Sequence, residues 1–127
     1  MKEESILKNM FYLLDEKKAE NILIFDVSKV SSITDYLIIC TGNSDVHISS
    51  LVDNIREGAK NWRSKIYHIE GYKLSRWVSI DFGDILLHIM GKDERELYDL
   101  ESIWGDCDTV TFSVRTINEY LKTKSNL

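Results

Sequence analysis

The chain has 127 residues, 43% of them apolar and 29% charged, with a formal net charge of -5. That length fits one domain with its own sizeable core, and the acidic balance argues against a direct nucleic-acid binder, whose phosphate contacts call for a basic stripe. Two cysteines, Cys40 and Cys107, are too few for a disulfide framework, so two free thiols in a reducing compartment are expected.

The start, Met1-Lys2-Glu3-Glu4-Ser5, leads into an amphipathic pattern rather than a continuous apolar run. No secretory signal, transit peptide or membrane span is therefore expected, and the cytoplasm is the default location. Ile6, Met10, Leu13 and Leu14 recur at helical spacing, widened by Leu7 and Phe11, which predicts a helix from about Ser5 to Glu20. Ile22 to Phe25 and Tyr36 to Cys40 are nearly unbroken apolar runs, as expected of strands covered on both faces at the centre of a sheet. Gly42-Asn43-Ser44 supplies a turn and a serine N-cap. Val52, Ile55, Ala59 and Trp62 then share a helical stripe, which makes Trp62 a packing residue. Ile66 to Glu70 reads as a third strand.

From Arg76 to Asp81 the residues alternate, placing Val78 and Ile80 on one face and Trp77, Ser79 and Asp81 on the other. Ile85 to Met90 reads as the returning strand, with Asp81-Phe82-Gly83-Asp84 as the hairpin connection. A two-residue or a four-residue loop gives one register, pairing Ile80 with Ile85, Val78 with Leu87 and Trp77 with His88. A slip of one residue would reverse both faces, so burial should oppose it. The second face then carries Trp77, His88, Leu86 and Met90.

Downstream, Leu97, Leu100, Ile103 and Trp104 recur at helical spacing, predicting one short amphipathic helix over 93–104. Asp93, Glu94, Glu96, Asp99, Glu101, Asp106 and Asp108 stand against the single Arg95, so this end should attract a basic partner. Aromatic anchors would supply affinity there, since truncating one can cost about 2 kcal/mol or more. Trp77 on a polar strand face reads as a surface group. Tyr98 fits contact and core equally, while Trp104 at the end of an apolar stripe reads first as core.

Val110, Val114, Ile117 and Tyr120-Leu121 suggest a C-terminal helix in the tail 109–127, where Arg115, Lys122 and Lys124 offer positive charge. The tail could pack on the sheet, support a dimer or touch RNA. The element order predicts an α+β or mixed α/β layer, a five-stranded mixed sheet flanked by helices.

Several quoted segments together resemble the ribosomal silencing factor family, also called Iojap-like proteins. They are Asp26-Val27-Ser28, Thr34 to Ile39, Thr41 to Ser44, Glu70-Gly71, Arg76 to Asp81, Gly83-Asp84, His88, Arg95 to Glu101 and Trp104. The resemblance covers a domain of residues 4–108. It implies a nucleotidyltransferase-like fold and a non-enzymatic factor without cofactor or metal. Such a factor docks on the large ribosomal subunit, through a basic ribosomal protein beside the subunit-joining surface, with little direct nucleic-acid contact. While bound it blocks the small subunit and lowers translation when nutrients are scarce; organellar relatives act in large-subunit assembly. The contact residues it implies are Trp77, His88, Tyr98, Asp99 and Leu100, with Arg95, Glu101 and Trp104 in support. A homodimer formed through exposed apolar surface is a competing use of the same face.

Enzymatic readings find less support in the residues. Nucleotidyl transfer needs a Gly-Ser turn for the triphosphate and closely spaced carboxylates for paired magnesium ions. Gly42-Asn43-Ser44-Asp45 imitates the turn, but Asp106 and Asp108 have the carboxylate spacing only past the last core helix. Asp81-Phe82-Gly83 spells a kinase motif, without the glycine-rich and catalytic loops that would complete it. His47, His68 and His88 fall on three different elements with no second ligand at zinc spacing. His88 near Trp77 is read either as a pH-sensitive contact or as a hydrogen-bonded strand histidine.

Overall fold

In a computed structural model, whose described residues are 2–71 and 76–112, the first apolar stripe forms helix α1 (Lys2–Glu16). Leu7, Met10 and Leu14 are buried along it. The helix ends four residues earlier than its pattern suggested. Lys18 turns left-handed at φ 67°, and the Ala19 amide donates to the Leu14 carbonyl at 2.9 Å, which closes the last turn. Strand β1 (Glu20–Asp26) follows at once.

β1 pairs antiparallel with β2 (Tyr36–Thr41), with an irregularity between Glu20 and Leu23 where Asn21 takes φ 48°. From β2 the chain crosses through helix α2 (Asp45–Trp62). Three strands follow: β3 (His68–Glu70), β4 (Trp77–Asp81) and β5 (Ile85–Met90). β5 returns parallel to β2, a pairing that needs a long crossover, supplied here by α2 with β3 and β4. Beyond helices α3 (Lys92–Tyr98) and α4 (Leu100–Trp104), a two-residue strand β6 (Asp108–Thr109) pairs with β1. The sheet is thus mixed, in the order β3-β4-β5-β2-β1-β6. It has six strands rather than the five expected, because Asp108–Thr109 is too short to carry any alternation.

The expected helix and turn around α2 are present. Ser44 caps it by accepting from the His47 amide at 3.0 Å, and Ile48, Leu51, Val52, Ile55 and Ala59 are buried, with Trp62 packed at the margin. β2 is the buried middle, while β1 is covered less than its apolar run suggested, since Leu23 stands 37% exposed.

The β4–β5 register differs by two residues from the expected one. Ile80 faces Leu87, Val78 faces Ile89 and Trp77 faces Met90, because Phe82 joins the hairpin opposite Ile85 and only Gly83-Asp84 make the turn. Gly83 takes φ 86°, a conformation open to glycine. Phe82 is buried with Val78 and Ile80. A shift of two preserves which side chains share a face, so the expected second face survives the correction.

One face of the sheet carries Ile24, Ile38, Cys40, Val78, Ile80, Ile85, Leu87 and Ile89 against α1 and α2. The other carries Phe25, Leu37, Ile39 and Met90, partly covered by Leu100 and Trp104 of α4. Both cysteines are free thiols. Burial pushes the Cys40 thiol up to about 12, overriding the nearby Arg95 charge. Past β6, the Val110 amide donates to the Ile24 carbonyl at 2.9 Å, and Phe112 stacks 5.4 Å from Phe11. The C-terminal helix suggested by Val114, Ile117, Tyr120 and Leu121, with Arg115, Lys122 and Lys124, lies outside the described residues.

Candidate functional site

Trp77 opens β4 on the incompletely covered face, where strand alternation also puts Leu86 and His88 of β5. Ser79, not Trp77, sits opposite His88; the indole reaches it diagonally. Its Nε1 donates to His88 Nδ1 at 2.9 Å, which assigns the remaining imidazole proton to Nε2. The indole N–H is thereby used inside the molecule. Tyr98, the last residue of α3, places its ring 4.8 Å from that of Trp77 at 43°, within the usual range of aromatic pairs. Trp77, Leu86 and His88 are half-buried, and Tyr98 is 53% exposed.

The predicted single helix is broken at Asp99, whose backbone is left-handed at φ 45°. Aspartate tolerates that region better than most residues, and its Oδ2 accepts from the Ser102 hydroxyl. The break rotates the two halves of the apolar stripe apart. Leu97 and Ile103, expected in its buried line, stand 76% and 67% exposed. Leu100 and Trp104 instead pack, half-buried, on the second core cluster. Trp104 therefore lines the core.

Arg95 does not offer its charge to the outside. It is 8% exposed, with Nε donating to Glu101 at 3.0 Å and Nη1 donating to Thr41 Oγ1 at 2.9 Å and to the Asn21 carbonyl at 2.6 Å. The irregular start of β1 presents that carbonyl, so Arg95 ties α3 and α4 to the sheet across the break at Asp99. Its guanidinium is thus spent within the fold, with Glu101 as its counter-ion. Asp93, Glu96, Asp99, Asp106 and Asp108 remain exposed carboxylates. Burial pulls the His88 pKa down to about 4. The ring is neutral near neutral pH, which favours the strand-histidine reading over the pH-sensitive contact.

Sequence reasoning passed over Arg76. It is the residue before Trp77; its Nη1 donates to Asp45 at 2.6 Å and its Nε to Glu94 at 3.0 Å. No local pattern marks it, since Glu94 and Asp45 lie 18 and 31 positions away, and the fit shows only in the fold. A Cβ on Gly91 would lie 2.6 Å from Arg76 Nη2 and 2.5 Å from Glu94 Oε1.

The turn that imitates a phosphate cradle is occupied by its own chain. The Gly42 amide donates to the Met90 carbonyl at 2.9 Å, the Asn43 amide to His47 Nδ1 at 2.9 Å, and Asp45 holds Arg76. Gly42 is there for packing, since a Cβ would lie 2.6 Å from Ile48 Cγ1. Asp108 pairs with Asp26 at the Tyr36 end of β2, whereas Asp45 follows its Thr41 end. The strand's length, roughly 17 Å, separates those carboxylates and removes a shared metal site. His47 bonds the Lys17 carbonyl at 2.8 Å and His68 bonds Glu70 at 3.1 Å, so each histidine has its own partner. Among the described residues, no group of three His, Cys, Asp or Glu side chains is placed to hold a metal ion. No helix among them is long and apolar enough to cross a membrane.

Residues 1–126 match the family model described as "Ribosomal silencing factor during starvation". A Bacillus subtilis protein named ribosomal silencing factor RsfS is 40% identical over 106 residues, 84% of this chain and 90% of that protein. The mouse protein named "Mitochondrial assembly of ribosomal large subunit protein 1" is 34% identical over 95 residues, 72% of this chain and 42% of its own length. A crystal structure from Chromobacterium violaceum superposes with a TM-score of 0.78 at 29% identity, covering 88% of this chain and 92% of that one.

Proposed function

The chain belongs to the ribosomal silencing factor family, and we propose that it represses translation by binding the large ribosomal subunit and obstructing the small one. On this reading it acts in the cytoplasm and without catalysis. The attachment point is a basic ribosomal protein at the subunit-joining face. Tyr98 and Trp77 form the apolar centre of the contact, His88 and Leu100 back them, and Asp99 with the neighbouring carboxylates makes a charged rim. Trp104, Glu101 and Arg95 hold that surface in place from behind.

The observation that carries this reading is the Trp77–Tyr98 ring pair, 4.8 Å apart and open to solvent on the Tyr98 side. A ring pair rimmed by carboxylates fits the pattern of interface hot spots, in which a few aromatic anchors dominate the affinity. Charge complementarity would speed the encounter with a basic partner. The nucleotidyltransferase alternative loses its footing, because the turn amides and Asp45 are already engaged within the fold.

Sedimentation of tagged protein with cell lysate should place it with free large subunits and away from joined ribosomes. If Trp77→Ala folds normally yet binds large subunits as tightly as the parent, the assignment is wrong. A second reading, large-subunit assembly, is favoured by the mouse relative's name. Depletion would then leave incomplete large subunits, which simple repression does not produce. Self-association through the exposed Leu97 and Ile103 competes for the same region, and sedimentation equilibrium of the free protein separates it from the ribosome contact.

A further inference from the structure

Three elements converge at Arg76. Its backbone carbonyl accepts from the Gly91 amide at 2.8 Å, at the point where β5 gives way to α3. Its guanidinium reaches Asp45 in the first turn of α2 at 2.6 Å and Glu94 in the first turn of α3 at 3.0 Å. Gly91 leaves the space through which the side chain passes. The next residue is Trp77, and the far end of α3 is Tyr98.

We infer that Arg76 is a positioning residue for the partner-binding surface: by bracing the start of α3 against β4 and α2, it sets the spacing of Tyr98 from Trp77. The inference rests on the surface assigned under Proposed function. α3 is seven residues long, too short to hold its own direction without tertiary contacts. Arg95 fixes its later turn to β1 and β2, and the Arg76–Glu94 contact fixes its first. Removing the first tether leaves α3 pivoting about the second, and the ring pair at the swinging end loses its geometry. The side chain is partly exposed, so its effect on global stability is small. Its effect on a surface that must be pre-formed is larger, because ordering that surface would then fall to the binding step.

The test compares Arg76→Gln, Glu94→Gln and the double variant, with Tyr98→Ala as the control. Affinity for purified large subunits, thermal midpoint and near-ultraviolet circular dichroism of the free protein are read together. Each single glutamine variant should weaken binding about fivefold, with the double variant no weaker than the worse single. Midpoints should move by only about a few degrees. The aromatic dichroism should fall in Arg76→Gln and in Tyr98→Ala alike. If Tyr98→Ala weakens binding while Arg76→Gln binds and absorbs as the parent does, the positioning role is overturned and the surface stands. Weaker binding by Arg76→Gln with parental dichroism would overturn it too, because Arg76 would then touch the partner itself. Should Tyr98→Ala bind normally, the surface assignment falls first. If Arg76→Gln does not fold, Glu94→Gln, which removes the same contact from the α3 side, carries the same expected loss and the same overturning result.

Discussion

The two faces of the sheet are built from the same strands and finished differently. Against α1 and α2, Ile38, Ile80, Leu87 and Ile89 have no accessible surface left. Across the sheet, Trp77, Leu86 and His88 stay half-buried behind two short helices, and Tyr98, Leu97 and Ile103 project from those helices. Strand alternation creates both faces at once, but the second is closed only over Phe25, Leu37, Ile39 and Met90. The sealed face supplies the larger core, while the other keeps a smaller buried cluster and holds aromatic side chains at its margin.

The contrast can be attacked first from the sealed side. Ile38→Ala, at a fully buried position in β2, should cost about 2–5 kcal/mol of unfolding free energy in a urea titration. Whatever folded fraction remains should bind large subunits as the parent does; a specific loss of affinity would mean that the faces are not independent.

His88 provides the next largest effect, on the open face. Its folded pKa of about 4 lies below the ordinary value near 6.5, so the fold takes up fewer protons than the unfolded chain between those limits. Its contribution is complete above pH 6.5 and is lost as pH falls toward 4, amounting to up to about 3 kcal/mol. Urea midpoints followed over that range should decline, and His88→Gln should flatten the decline. An unchanged slope in that variant would show the ring to be better solvated than its place beneath Trp77 implies.

A smaller effect belongs to the bend between α3 and α4. Asp99→Ala should cost about 1 kcal/mol, because alanine tolerates the left-handed backbone less well and gives up the bond from Ser102. Asp99→Gly should cost less, since glycine meets the backbone requirement. Equal losses in the two variants would assign the cost to the side-chain bond alone.

Much of the sealed face was legible in the sequence. The apolar run Tyr36 to Cys40 and the stripe Val52, Ile55 and Ala59 carry their burial openly, because complete coverage leaves no polar residue in the line. The open face was legible in membership, since Trp77, Leu86 and His88 share it under either hairpin register. The register itself was not, because a two-residue shift leaves alternation unchanged and only the turn at Gly83 and Asp84 decides it. Spacing also hid the break at Asp99. Leu97, Leu100, Ile103 and Trp104 keep helical intervals whether or not one residue between them turns left-handed. The anchoring of Arg95 was not legible either, because its partners, Thr41 and the Asn21 carbonyl, lie more than fifty positions away in the chain. Long-range pairing of that kind leaves no local mark.

The account turns on the uncovered aromatic pair being where the large subunit is held. The most direct measurement is the dissociation constant of Tyr98→Ala for purified large ribosomal subunits, beside that of the parent chain. Because Tyr98 is 53% exposed, its removal should leave the unfolding free energy within about 1 kcal/mol of the parent. Affinity should fall about thirtyfold, the equivalent of about 2 kcal/mol. A folded Tyr98→Ala protein that binds with undiminished affinity would contradict the account.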